Sequence, residues 1–197
     1  MMQINFLKLT SIFIFIFFAT SKVYGSKIDN AENFVKNISS EILILLDKEI
    51  TVEEKRYLFS KLLNKHADRK TLSRAALGRP WRQLTSKERD EFVNAFQNYV
   101  SKKYSLQFEG FKGATMKIDK SIDVGKSGVL VKTRFLMLGS SPISISWQVW
   151  TKENNLKLID IIVEDISMLT MEREEIKNKL NNFNGNTKKL INHLNSY

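Results

Sequence analysis

At Gly110 the hydrophobic period of this chain changes from that of a helix to that of a strand, and no other feature constrains the fold as firmly. Before it, over 29–50, Phe34, Ile38, Ile42, Leu45 and Leu46 recur at three- and four-residue steps, the spacing of one apolar helix face. Thr51-Val52-Glu53-Glu54 has the form of a capping box and restarts a helix through Leu58, Leu62 and Leu63. Asp68 caps a shorter helix carrying Leu72, Ala75 and Ala76, with Gly78 as its stop and Pro80 just beyond. A second capping box, Thr85-Ser86-Lys87-Glu88, opens a longer helix whose stripe is Phe92, Phe96, Tyr99 and Val100.

Beyond Gly110, three runs alternate. Met116, Ile118, Ile122 and Val124 share one parity; Val129, Val131, Phe135 and Met137 a second; Ile143, Ile145, Trp147 and Val149 a third, with Lys132, Arg134, Ser144, Ser146 and Gln148 facing the other way. The run 156–163 is apolar on both faces, which predicts a better covered strand. Turn-forming segments at 125–128, 139–142 and 152–155 are short enough to join neighbours as an antiparallel meander. Helices over 171–182 and 186–194, parted by Asn184-Gly185, close the chain. Helices, then a sheet of about four antiparallel strands, then helices is the grammar of an α+β domain.

The N-terminus sets the compartment. Lys8 precedes the apolar run 9–19, and a more polar stretch ends at Val23-Tyr24-Gly25, the form of a cleavable export signal. That run is shorter than the roughly 20 residues of a membrane-spanning helix. Residues 1–25 are therefore expected to be a signal peptide and 26–197 a single exported domain. The chain has no Cys, which excludes disulfides, a lipid-anchored Cys and thiol chemistry. Its formal charge is +10; without Lys8 and Lys22, 29 basic residues face 21 acidic ones, or +8. Such a balance favours anionic partners, and for an exported protein lipid head groups fit better than nucleic acid.

Catalytic apparatus is sparse. His66 and His193 are the only histidines, and neither a Gly-x-Ser-x-Gly turn nor a phosphate-cradling Gly-rich motif occurs. Two distant histidines also supply a zinc site poorly. Asp160 and Glu164 share strand parity and are the one pair suited to acid–base work; the plainer expectation is that Asp160 bonds a backbone group or pairs with a basic residue, while Glu164 and Asp165 lie in the loop leaving the sheet. In Arg79-Pro80-Trp81-Arg82, Trp81 is expected to pack at the foot of the following helix with its arginines at the surface.

Two stretches carry a family resemblance. The segment ALGRPWRQLTSKERDEF at 76–92 resembles one in MlaC (toluene-tolerance) proteins: Leu-Gly, an aromatic pair or Trp-Arg, a Thr that starts a helix, then spaced Phe. The segment IDIIVEDISMLT at 159–170 is similar to that family's strand end, where Asp, apolar residues, Glu-Gly-Val-Ser and an apolar pair lead into the last helices. Asp165 departs from the family's Gly, which bears on the turn leaving the sheet, and Pro80 precedes Trp81 where an aromatic or small residue is usual.

The resemblance implies a non-enzymatic carrier without cofactor, whose sheet and helices enclose an apolar cavity for the tails of a phospholipid. It also implies passage between an outer-membrane lipoprotein complex and an inner-membrane ABC transporter complex. The expected tail-lining residues are the inward set Met116, Ile118, Val131, Phe135, Met137, Ile145, Trp147 and Val149, with Phe92 and Phe96 from the long helix. Arg79 and Arg82 are expected to meet the head-group phosphate or an acidic partner. The domain is expected to act as a monomer. The alternatives are a small-molecule isomerase or dehydratase working through Asp160, and a basic envelope adaptor that carries no lipid.

Overall fold

The structure, a computed structural model, describes residues 22–152 and 155–196. Most of the expected signal peptide lies outside the described residues; its end, from Lys22, is the start of the first helix. Four helices come first: α1 (Lys22–Asp47), α2 (Val52–His66), α3 (Arg69–Leu77) and α4 (Ser86–Gln107). The meander β1 (Thr115–Asp123), β2 (Val129–Leu136), β3 (Ile143–Lys152), β4 (Asn155–Val163) and β5 (Ile166–Ser167) follows in spatial order 1-2-3-4-5, all antiparallel. Helices α5 (Met168–Asn182) and α6 (Thr187–Ser196) close the chain.

The expected caps form. Thr51 Oγ1 accepts from Glu54 N while the Glu54 carboxylate accepts from Thr51 N, and Thr85 with Glu88 repeats the pattern. Asp68 accepts from Thr71 N, and α3 ends at Gly78, whose φ of 71° is open to glycine. Each cap answers backbone groups that a helix end leaves unpaired, so local sequence suffices to set it.

The sheet departs from simple alternation in three places. The β1 register shifts between Ile118 and Lys120, so Met116 and Ile118 face inward opposite Phe135 and Thr133, whereas Ile122 stands opposite Leu130 on the other side. The shared parity expected for Met116 through Val124 is thus broken by a bulge at Asp119. A second bulge, at Ile159, lets Leu158 face inward beside Val149 while Ile161 and Val163 pair with Trp147 and Ile145. The fifth strand, short and unanticipated, arises because Glu164 and Asp165 both have positive φ, 47° and 62°, as type I′ hairpin turns require. Asp165 therefore holds the turn at a position where glycine would be free of strain.

Apolar side chains gather in two main bodies. Helix α1 lies over the sheet, burying Val35, Ile38 and Ile42 against Val129, Val131, Ile145, Trp147 and Val149. The other body packs α3, α4, α5 and α6 through Leu77, Trp81, Phe92, Phe96, Ile176 and Leu190. A smaller cluster, Leu45, Phe59 and Tyr104, bridges them. The outer face of β1 and β2 keeps Lys117, Lys120, Lys132 and Arg134 in solvent.

Candidate functional site

An apolar cavity of about 120 Å³ opens where these bodies meet. Its walls are Phe59 and Leu63 from α2, Leu72 from α3, Phe96, Val100 and Tyr104 from α4, Leu158, Ile161 and Val163 from β4, and Met168 and Leu169 from α5. Phe108, in the 3-10 turn Phe108–Phe111 that follows α4, closes one side. The same Phe108 ring borders two small voids under α1, and a surface recess of about 350 Å³ edged by Phe111, Ile166 and Met171. Phe108 is thus the one residue that lines all four spaces.

A polar clamp fastens α4 to α5 at the cavity rim. Lys103 Nζ lies 2.7 Å from Glu172 Oε1 and 2.5 Å from Glu175 Oε2. Tyr104 donates to Glu172 and Tyr99 to Glu175. Glu172 is only 3% exposed, so its charge depends on these partners. Burial works against the Lys103 ammonium, yet hydrogen bonds to Glu172 and Glu175 hold its pKa above the ordinary value. Burial, reinforced by Glu172, pushes the Tyr104 phenol up, so it stays a donor. Burial opposes ionisation of Glu175, but Lys103 and Tyr99 bring its pKa below that of an ordinary carboxyl.

The acid–base pair considered from sequence is engaged otherwise. Asp160 Oδ2 accepts from the Ser167 hydroxyl at 2.6 Å and Oδ1 from Leu169 N at 3.1 Å, fixing the N-terminus of α5. Glu164 accepts from Ser144 N at 2.6 Å and ties the last hairpin to β3. Asp160 thus takes the first of its two plainer expected roles, a bond to a backbone group, and Glu164 lies in the turn leaving the sheet as expected, with the bond to Ser144 N an addition. His66 sits at the core edge, 3.1 Å from Glu41 and edge-on to Phe34.

The ten expected tail-lining residues divide. Phe96 lines the main cavity; Phe135, Ile145 and Trp147 line the small voids. Val131 and Val149 are fully packed beneath α1 with Met116, Ile118 and Met137 against them, and Phe92 stacks on Phe96 at 5.8 Å inside the helical body. Trp147 is 1% exposed, and its Nε1 donates to Thr133 Oγ1, which in turn donates to Ile145 O. A charge at Trp147 or Phe135 is thus expected to unfold the domain rather than merely empty a pocket. Sequence parity missed Phe59, Leu63, Leu158 and Met168, although the two-faced apolarity of 156–163 was the available signal. Arg79 and Arg82 line a separate depression that shares no residue with the cavity.

The geometry can be set beside known proteins. A family model described as MlaC protein matches residues 36–196. No curated protein matches the sequence. Among solved structures, a phospholipid-binding protein from Ralstonia solanacearum, in complex with a phospholipid at 1.53 Å resolution, superimposes with a TM-score of 0.73. It is 17% identical, with 84% of this chain and 95% of that one covered, so the likeness is one of fold.

Proposed function

Because the chain belongs to the MlaC family, we propose that it is a periplasmic phospholipid carrier and not an enzyme, holding acyl tails at the seam between its two packed bodies. The observation that carries this reading is the apolar cavity walled by α2, α4, β4 and α5. The phospholipid held by the Ralstonia protein of the same fold supports it. Two tails hold about 30 methylenes, and at about 0.8 kcal/mol each their exposure to water costs on the order of 24 kcal/mol. A carrier with an apolar interior removes that barrier without any chemical step. Transfer then runs between similar environments, and partners set its direction.

Ligand pockets span roughly 300–1,000 Å³, so the 120 Å³ cavity must join its neighbours to take two tails. Movement of Phe108 achieves that, since its ring is the wall common to the cavity, the voids under α1 and the surface recess. Of the sequence-derived set, Phe96, Phe135, Ile145 and Trp147 border this joined space, and they are the ones proposed to meet lipid. The family resemblance further supports exchange with an outer-membrane lipoprotein complex and an inner-membrane ABC transporter, and the export-signal pattern supports a monomer cut after Gly25.

Native mass spectrometry of the protein purified without detergent, followed by lipid extraction, tests the reading. A one-to-one phospholipid adduct is expected. A clean unliganded mass from well-folded protein would overturn it in favour of a lipid-free adaptor.

A further inference from the structure

On the helical body, away from the cavity, five arginines surround one depression of about 570 Å³: Arg74, Arg79, Arg82, Arg89 and Arg173. Local geometry assembles them. Gly78 ends α3, and the 3-10 turn Arg79–Gln83 has three residues per turn, so Arg79 and Arg82 project from the same side. Trp81 turns inward, 6% exposed and edge-on to Phe92, anchoring that turn as the floor. Arg89 reaches from α4 to donate to Trp81 O at 3.2 Å and lies over the indole ring at 5.7 Å. Arg74 and Arg173 come from α3 and α5, which pack together.

No carboxylate lines the depression, and among the described residues no ion pair engages any of the five. Five like charges around one hollow repel, a cost to folding that only the contacts of Arg89 with the Trp81 turn offset. Guanidinium groups carry planar forks that match phosphate oxygens bidentately, which an ammonium cannot do. The hollow is also of the size of small-ligand sites.

We propose that this depression is an anion site, distinct from the tail cavity, that takes a phosphate-bearing group. That group is supplied either by lipids at a membrane surface or as a free phosphate compound. Because α3 and α5 also carry Leu72, Leu169 and Glu172 of the cavity wall, an anion held by Arg74 and Arg173 sits against the same two helices that border the tails.

The test uses two probes, inorganic pyrophosphate by calorimetry and phosphatidylglycerol vesicles by cosedimentation, at low salt. The triple variant Arg79→Gln, Arg82→Gln, Arg173→Gln is compared with Lys117→Gln, Lys120→Gln, Lys132→Gln, which removes the same charge from the exposed sheet face. Loss of three arginines is expected to weaken vesicle binding roughly a hundredfold, with the sheet variant closer to wild type. Arg→Lys at the same three sites keeps the charge but is expected to weaken pyrophosphate binding roughly tenfold, because the fork is lost. Pyrophosphate binding alone identifies a free phosphate, vesicle binding alone a membrane source, and both a head-group site; each supports the proposal. Equal losses in the two glutamine variants, undiminished binding by the lysine variant, or no binding of either probe to wild type would overturn it, the last leaving an acidic protein as the occupant. If the arginine-to-glutamine variant does not fold, the lysine variant decides.

Discussion

Replacing Val100 by phenylalanine places added volume in the cavity without introducing a polar atom. Val100 is half-buried on α4 and faces the space between Leu63 and Met168. An unfilled volume of 120 Å³, at about 24 cal/mol per Å³, corresponds to about 3 kcal/mol of packing energy the fold does without. A phenyl ring that occupies roughly half of it restores about 1.5 kcal/mol and raises Tm by roughly 3–6 °C for a domain of this size. Delipidated protein must be used for the melt, because bound lipid stabilises by mass action. On the carrier reading the same variant loses lipid, so occupancy by native mass spectrometry falls as Tm rises. A stabilised variant with its full lipid load would refute the assignment of this cavity to the tails. A destabilised one would show that the space is already as tightly packed as a core, against the premise itself.

Other consequences are open to measurement. Lys103→Met strands the buried Glu172 carboxylate and is expected to cost about 3–5 kcal/mol, seen as a fall in urea midpoint, with most of the loss recovered when Glu172→Gln is added. Acid should destabilise the domain. The folded pKa values of Glu175 and Glu41 lie below the ordinary carboxyl value, so their contribution is present above about pH 4.3 and is lost as pH falls through the folded values. Thermal melts across that range should show a shallower acid limb in Lys103→Met than in wild type. Gly128→Ala is expected to cost about 3 kcal/mol or more: at φ 97° its Cβ would meet Val149 O at 2.0 Å, and unchanged stability by denaturant titration would contradict the register of β2 on β3.

What could be seen in the sequence follows the range of the interaction involved. Capping boxes at Thr51 and Thr85 and the stop at Gly78 depend on residues within one turn, and all three form as expected. Inward parity across β2 and β3 was legible because solvent and core alternate along each strand. The bulges at Asp119 and Ile159 were not, since an extra residue is accommodated by the partner strand rather than announced by its own type. The cavity was half legible. Phe96 belongs to a helical stripe that had to face something, but Phe59, Leu158 and Met168 converge only when α2, β4 and α5 are docked. The arginine depression shows the same limit: Arg79 and Arg82 are neighbours in the chain, while Arg74, Arg89 and Arg173 join them through packing.

The position of the cavity bears on how a carrier can be both stable and open. Its walls draw Leu158 and Ile161 from the sheet body, Phe96 and Leu169 from the helical body, and Phe59, Val100 and Tyr104 from the bridge between them. Opening a space inside either body would tear side chains such as Trp147 or Phe92, each no more than 1% exposed, out of close packing. Parting the bodies along their seam spares the helical interior and reaches the sheet interior only at the small voids beside Phe135 and Trp147. On the carrier reading, what gives way is the packing around Phe108, a ring that is only half-buried, and a lipid's own methylenes take its place. Meanwhile the Lys103–Glu172 pair holds α4 to α5 on the helical side of the rim, and the cap of Asp160 ties β4 to α5 across one end of the seam. On that reading, the energetic demand of loading therefore falls mainly on the bridge, which is where a protein that takes up and surrenders a ligand can bear it.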